Sequence, residues 1–326
     1  MNYASIIKEI GRGAHGSRDL GVDEARQLFG AMLDGGVPEL ELGAVLLALR
    51  MKTESVNELL GFSLALNDRV HRLQRPNDGT LPVVLPSYNG ARRQPNLVPL
   101  VAMALHRIGV PVLVHGLLDG NGRVATAYIL RELGIMPCAT LAQAQRSLDE
   151  GRLTFVPTAV LSPGIAQLLG VRARLGVRNS AHTVVKLMDP FGGDCLRVVA
   201  VTHPDYMQKL GEVLVQTRGA ALLMKGTEGE PYAAPRRRPR MELYRDGHHE
   251  LLFEQERMTE DVPEFAPQDL EAAATAQYVC SALEGVVPMP LPVVNQIACC
   301  LYGSGYTDDL NLAKAIAVVQ TRSMAA

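Results

Sequence analysis

No run of apolar residues in the chain approaches the roughly 18 that a membrane-crossing helix requires, so no membrane partner is expected. Met1 to Arg12 lacks the basic-then-apolar layout of a secretory leader, and a cytoplasmic location is the expectation. CxxC spacing is missing too. The five cysteines, Cys138, Cys195, Cys280, Cys299 and Cys300, form an odd set that suggests neither a disulfide framework nor a zinc site. P-loop, GxGxxG and HExxH signatures are absent, and no metal or cofactor is expected. Aromatic residues make up only 5%, too few for extensive base stacking. Acid is missing altogether between Gly151 and Met188, a stretch that holds five bases.

What is present is an ordinary globular composition. Of 326 residues, 47% are hydrophobic and 20% charged, enough for one large domain and a smaller one. The net charge of −2 hides a segregation: residues 242–284 carry eleven acids and two bases, whereas residues 1–241 carry 28 bases and 21 acids. Local potential governs polyanion binding more than net charge does, so a basic face is compatible with this acidic total.

The first 75 residues read as helices. Ala25, Leu28, Phe29, Met32 and Leu33 share one helical face. Gly35-Gly36 supply a stop, and Ser55-Val56-Asn57-Glu58 has capping-box spacing. Leu40 to Leu49 is apolar on more than one face, with Leu40, Leu42, Val45, Leu46, Leu47 and Leu49, and such a helix needs more than one packing partner. After the linker Pro76-Asn77-Asp78-Gly79 the period changes. Short apolar runs at 81–85, 111–115, 153–156, 196–201 and 220–224 alternate with helical segments at about 96–108, 123–133, 141–149 and 206–217. That alternation predicts βαβ crossovers and a mostly parallel, covered sheet. Met241–Tyr244 and Glu250–Phe253 flank Asp246-Gly247 as a hairpin, and residues 267–284, 291–303 and 308–322 close the chain as helices. The expected fold class is therefore α/β: a small all-helical N-terminal domain, residues 1–75, and a large α/β domain, residues 76–326.

Few segments carry chemistry on their own. Gly120-Asn121-Gly122-Arg123 precedes a helix and could present amides to an anion, or be a plain turn. His248-His249 could face a metal, or be exposed histidines beside the hairpin turn. Arg236-Arg237-Arg238-Pro239-Arg240 follows Pro231 and Pro235, which disfavour a helix. Extended arginines can fork onto phosphates spaced along a strand; a solvated basic loop is the alternative.

Several segments, in order, resemble anthranilate phosphoribosyltransferase and its relatives in the nucleoside phosphorylase/phosphoribosyltransferase class. They are Gly35-Gly36-Val37-Pro38 with Leu46 to Lys52, Val114-His115-Gly116, Arg131-Glu132-Leu133-Gly134, Arg172 to Arg178, and Asn295 to Leu301. The resemblance spans nearly the whole chain. It implies that a later helical stretch, about 163–188, joins the N-terminal domain, and that the chain forms a homodimer through its N-terminal helices.

The departures bear on activity. The family's glycine-rich loop for phosphoribosyl pyrophosphate, which works by letting small residues bring amides to phosphates, corresponds to Leu85-Pro86-Ser87-Tyr88-Asn89-Gly90. Only Gly90 survives, and Asn89 replaces an acid. The family's anthranilate-binding asparagine is Leu117, its glycine-proline is Val185-Lys186, and its adjacent magnesium acids fall at Glu228-Gly229-Glu230-Pro231, where glycine separates them. Phosphoribosyl transfer needs a metal-bound leaving group and exact positioning, so transferase activity is not expected. The chain is identified as a member of a nucleic-acid-binding branch of this family, which implies DNA or RNA as partner with little sequence preference. Candidate phosphate contacts are Arg92, Arg93, Arg123, Lys225, Arg236, Arg237, Arg238 and Arg240; Asn89, Gly90, His115, Gly116, Arg172 and Arg178 mark the vestigial cleft. Alternatives are a phosphoribosyltransferase-like enzyme on an altered substrate and a small-ligand sensor using the old cleft.

Overall fold

Four helices open the chain: α1 (Tyr3–Ile10), α2 (Val22–Leu33), α3 (Glu39–Lys52) and α4 (Val56–Asn67). The computed structural model describes residues 1–13, 16–76, 79–258 and 270–321, and no strand falls in the described part of residues 1–75. The capping box at α4 is formed: Ser55 Oγ accepts from Glu58 N at 3.2 Å, and Glu58 Oε2 accepts from Ser55 N at 2.7 Å. The same buried Glu58 takes Leu20 N at 3.0 Å and the Lys52 ammonium at 2.8 Å, which ties α3 and the α1–α2 loop to the start of α4. Phe29 stacks on Phe62 at 4.7 Å between ring centres, joining α2 to α4.

Strand and helix then alternate. In order come β1 (Val83–Ser87), α5 (Val98–Ile108), β2 (Val112–Gly116), α6 (Thr126–Glu132), α7 (Leu141–Asp149) and β3 (Thr154–Pro157). Four short helices follow, α8 (Thr158–Leu161), α9 (Pro163–Gly170), α10 (Arg172–Leu175) and α11 (Ala181–Val184), and a single 3-10 turn at Val185–Leu187. The chain returns to the sheet with β4 (Leu196–Val201), α12 (Pro204–Thr217) and β5 (Ala221–Lys225). The last part holds β6 (Arg237–Arg238), β7 (Met241–Arg245), β8 (His248–Phe253), β9 (Glu256–Arg257), α13 (Ala272–Glu284), α14 (Leu291–Gly303) and α15 (Leu310–Gln320).

The seven-stranded sheet has the order β3-β2-β1-β4-β5-β7-β8. Its first five strands run parallel, and β7 and β8 are antiparallel. Successive side chains of a strand face opposite ways, and both faces are covered here. Val84, Leu113, Val156 and Val199 join one core cluster with the N-terminal helices, α7, α9 and α12; Val83, Leu85, Val112 and Val198 join another with α5, α13 and α14. The expected α/β class with a mostly parallel sheet is the one observed. The hairpin also forms where expected, with left-handed backbone at Asp246 (φ 54°) and Gly247 (φ 82°).

Local details differ. Helix α5 starts at Val98, beyond Pro95 and Asn96, and α6 starts at Thr126, because residues 120–123 are taken up by a turn. The two-residue ribbon of β6 and β9 was not anticipated at all. The start of the expected helix at 267–269, its counterpart's end at 322, and Asn77-Asp78 of the linker lie outside the described residues. Among the described residues no helix is long and apolar enough to cross a membrane.

The segment after β3 returns to the N-terminal helices: α9 packs on α2, and α11 on α4. Gly164 sets the first contact, since a Cβ there would lie 2.2 Å from the Leu33 carbonyl oxygen. Gly164→Ala is expected to lower stability by about 1–3 kcal/mol through overpacking, read as a lower denaturant midpoint. An unchanged midpoint would show that α9 does not lie against α2.

Candidate functional site

In an open α/β sheet the ligand crevice lies beyond the carboxyl ends of the strands. Here that position is bounded by the end of β1 with the loop after it, residues 87–94, and by the segment after β5, residues 226–231. The second segment is a tight turn. Thr227 N donates to Glu230 O at 3.2 Å and Glu230 N to Thr227 O at 2.9 Å. Its central residues, Glu228 (φ 53°) and Gly229 (φ 91°), are both left-handed, as a type I′ turn requires. Gly229 is also pinned by space: a Cβ would sit 2.4 Å from Asn89 Nδ2, whose amide donates to the Gly229 carbonyl at 2.8 Å.

This turn directs two carboxylates back at the β1 loop. Glu230 is fully buried and accepts from Asn89 N at 2.6 Å, Gly90 N at 2.7 Å and the Ser87 hydroxyl. Burial pushes its carboxyl above the ordinary range, and the hydrogen bonds from Ser87, Asn89 and Gly90 pull it back. Glu228 accepts from Arg93 N at 2.8 Å, Arg92 N at 3.2 Å and Gln94 N at 3.3 Å, and faces Arg123 Nη1 at 3.4 Å. The amides that a phosphate-binding loop would offer to its ligand are thus filled by the chain's own acids. Magnesium does not fit these glutamates. Each carboxylate is surrounded by N–H or O–H donors, which present positive hydrogens where a cation would have to approach, and the two point at different halves of the loop. Among the described residues no three His, Cys, Asp or Glu side chains are grouped as a metal site would need.

The residues marking the old cleft take several roles. Tyr88 turns inward, and its hydroxyl meets Nδ1 of His115. His115 is fully buried in β2 and held neutral, its pKa pushed down to about 3 by burial, so it offers no charge to an anion. Gly116 lets β2 approach β1: a Cβ there would lie 2.0 Å from the Ser87 carbonyl oxygen. Arg172 does lie near Arg178, close enough to disfavour its charge. Burial and the neighbouring cations Arg172 and Arg123 bring Arg178 down to about 10. Arg178 lines a cavity of about 340 Å³ with Arg50, Glu54, His182, Lys186 and Tyr206. Lys186 is buried, donates to the Ala200 carbonyl, and is brought down to about 8 chiefly by burial. Sequence reasoning noted Lys186 only as a departure, and missed Glu54, which accepts from the Ser180 and Tyr206 hydroxyls.

The arginine run is extended, and most of it is engaged. Arg237 and Arg238 form β6 against β9, with Arg237 donating to Gln255. Arg238 pairs with Glu256 at 2.6 Å and lies over the Phe253 ring at 4.9 Å. Arg240 pairs with Glu242 and, at 3.3 Å, with Glu254. Lys225, Arg237 and Arg240 line a groove of about 610 Å³ between α12 and the β5–β7–β8 edge of the sheet, floored by Met207, Gly211 and Val215. Arg92, Arg93 and Arg236 have exposed side chains. The Gly120–Arg123 segment resolves as a turn: Asp119 Oδ1 accepts from Asn121 N at 3.0 Å, so its own carboxylate takes the amide. His249 lies against Tyr244 with the rings tilted and their centres 4.9 Å apart, and faces Glu242 at 3.5 Å; His248 is exposed.

Residues 4–70 match the family model for the glycosyl transferase family, helical bundle domain. Over 306 residues, 94% of this chain and 95% of its relative, the sequence is 44% identical to the protein YbiB of Escherichia coli (strain K12). An anthranilate phosphoribosyltransferase of Rhodopirellula baltica is 29% identical over 203 residues, which cover 62% of this chain and 59% of that one. Among solved structures, the anthranilate phosphoribosyltransferase of Thermus thermophilus matches with a TM-score of 0.76 at 22% identity, over 99% of this chain and 95% of that one. The Saccharomyces cerevisiae enzyme, solved in complex with PRPP and Mg, matches at 0.73 and 12% identity, over 98% and 93%. At such identities the structural likeness establishes the fold.

Two measurements check the site. Asn89→Asp replaces the donor to Gly229 with an acid beside Glu230; the expected loss is about 1–3 kcal/mol, larger at pH 8 than at pH 5 because ionisation of a buried acid is what costs. Equal losses at both pH values would contradict it. Lys186 titrates near 8 in the folded chain against an ordinary 10.5, so the unfolded chain binds the extra proton between those values and stability rises with pH across that window. Lys186→Met should therefore be more favourable relative to the unsubstituted chain at pH 8 than at pH 10, judged from urea midpoints. A pH-independent difference would show that the ammonium is not buried.

Proposed function

The chain belongs to the anthranilate phosphoribosyltransferase-like family that includes Escherichia coli YbiB, and from that premise we propose that it binds DNA or RNA with little sequence preference and does not transfer phosphoribosyl groups. The observation that carries this reading is the crowding of cations at one cleft. Burial and the cations Arg172, Arg123 and Arg50 disfavour the charge of Arg178 against the pull of Glu230, and burial with Arg92 and Arg172 disfavours that of Arg123 against Glu228 and Glu230. A bound polyanion relieves that repulsion. Glu228 and Glu230, lodged on the β1 loop, support the loss of transferase chemistry. Arginine contacts to phosphate position a nucleic acid without reading its sequence, which suits a surface with few aromatic residues.

A homodimer and a cytoplasmic location belong to the same proposal. Helix α3 buries Val45, Leu46 and Leu49, yet leaves Leu40 (83%), Leu47 (49%) and Met51 (77%) exposed along its other side. A second copy covering that stripe would supply the additional partner that an all-round apolar helix needs. A monomeric mass by light scattering at micromolar concentration would count against it.

A second reading, a phosphoribosyltransferase-like enzyme on an altered substrate, is favoured by the 340 Å³ cavity at Arg178. Titration calorimetry with phosphoribosyl pyrophosphate and magnesium separates the two: magnesium-dependent micromolar binding would support the enzyme.

The direct test is a gel shift with single- and double-stranded oligonucleotides across a salt series. Binding should weaken linearly on a log–log salt plot. Arg92→Ala, Arg93→Ala and Arg237→Ala should each reduce the slope by about 0.7–0.9. Arg238→Ala and Arg240→Ala should change it less, because their guanidinium groups already hold Glu256, Glu242 and Glu254. No binding even at low salt would sink the proposal.

A further inference from the structure

The two carboxylates on the β1 loop are held very differently. Glu230 has no exposed surface and takes its two amides at 2.6 and 2.7 Å. Glu228 sits at the rim with 14% of its side chain exposed, beside the 17% exposed Arg123. Three consecutive amides, of Arg92, Arg93 and Gln94, converge on it, but only one is closer than 3.2 Å. Consecutive amides turned to one point form a nest, an arrangement suited to anions, phosphate included. The backbone of Glu228 is left-handed at φ 53°, a conformation that costs a side-chain-bearing residue about 1–2 kcal/mol. Around the nest, Arg92 and Arg93 place two exposed side chains.

We propose that Glu228 is a displaceable stand-in for phosphate: one phosphate group of a bound nucleic acid replaces its carboxylate on the amides of Arg92, Arg93 and Gln94 and on the Arg123 guanidinium, and Glu228 turns out to solvent. The proposal rests on the nucleic-acid reading above and names where one backbone phosphate seats. The exchange swaps one anion for another, so the amides are never left without an acceptor, a loss that would cost about 1–3 kcal/mol for each buried group. It also sets a threshold. A lone phosphate must evict a tethered carboxylate and gains little. A strand already held by Arg92, Arg93 and other arginines delivers its phosphate at high local concentration and wins.

The test uses the full chain with Glu228→Ala and the isosteric Glu228→Gln, each shown by its melting profile to be folded at the assay temperature, and two probes. With inorganic phosphate, followed by calorimetry, both variants should bind at least about tenfold more tightly than the unsubstituted chain, equivalent to about 1.4 kcal/mol, and adding Arg123→Ala should erase the gain. With a mixed-sequence single-stranded oligonucleotide at fixed salt, both variants should also bind about tenfold more tightly. If either folded variant shows no gain with inorganic phosphate, the stand-in role is overturned, whatever the oligonucleotide does. If the unsubstituted chain fails to bind oligonucleotide while the variants gain phosphate, the nest is upheld as an anion site and the nucleic-acid reading falls. A gain that survives Arg123→Ala overturns the assignment of that guanidinium.

Discussion

A buried amide must find an acceptor, and at the mouth of this sheet the acceptors are the side chains of Glu228 and Glu230. Much else follows from that pairing. For Glu230 to reach Asn89 N and Gly90 N, the segment after β5 must fold back as a tight turn with two left-handed residues, and Gly229 must lie against Asn89 with no room for a Cβ. For the loop to offer those amides, Tyr88 must turn inward to His115. Proline and tyrosine, awkward in a loop that wraps a ligand, are at ease in one that packs on its own core.

The broad architecture was legible in the sequence because its determinants are local. Period changes marked β4 and α14 to the residue, the Asp246-Gly247 dipeptide fixed the hairpin, and the Ser55–Glu58 spacing announced a capping box that forms. The site was harder to read. Both glutamates were visible, and their separation by one glycine was read as loss of metal ligands. Their actual partners lie about 140 positions earlier in the chain, and no local pattern reveals that an acid will seat on an amide so distant. The signal was present only in outline: two acids in a turn after a strand, and opposite them a loop whose amides had lost their small neighbours.

The arginine run shows the same limit in electrostatic form. Along the sequence, bases gather before residue 242 and acids after it. In space the boundary folds on itself, and Arg238 and Arg240 meet Glu242, Glu254 and Glu256 across the β6–β9 ribbon and the hairpin. Charge segregation read along the chain therefore overstates the positive face. Nearer the cleft, Arg178 is favoured as a cation by Glu230 but disfavoured by burial, Arg172 and Arg123, and the acid-free stretch from Gly151 to Met188 brings no partner of its own.

The fit of Asn89, Gly229 and Glu230 also bears on which sequence changes the loop can accept. A glycine-rich loop restored alone would still face Glu230, with no vacancy for a ligand. Glu230 removed alone would strand the Asn89 and Gly90 amides, and an acid restored at position 89 would oppose both Glu230 and the Gly229 carbonyl. Every single step back toward a diphosphate-binding loop passes through a less stable chain. Asn89, Gly229 and Glu230 are therefore interlocked like the parts of a latch, and a change at one of them is tolerated only together with changes at the others.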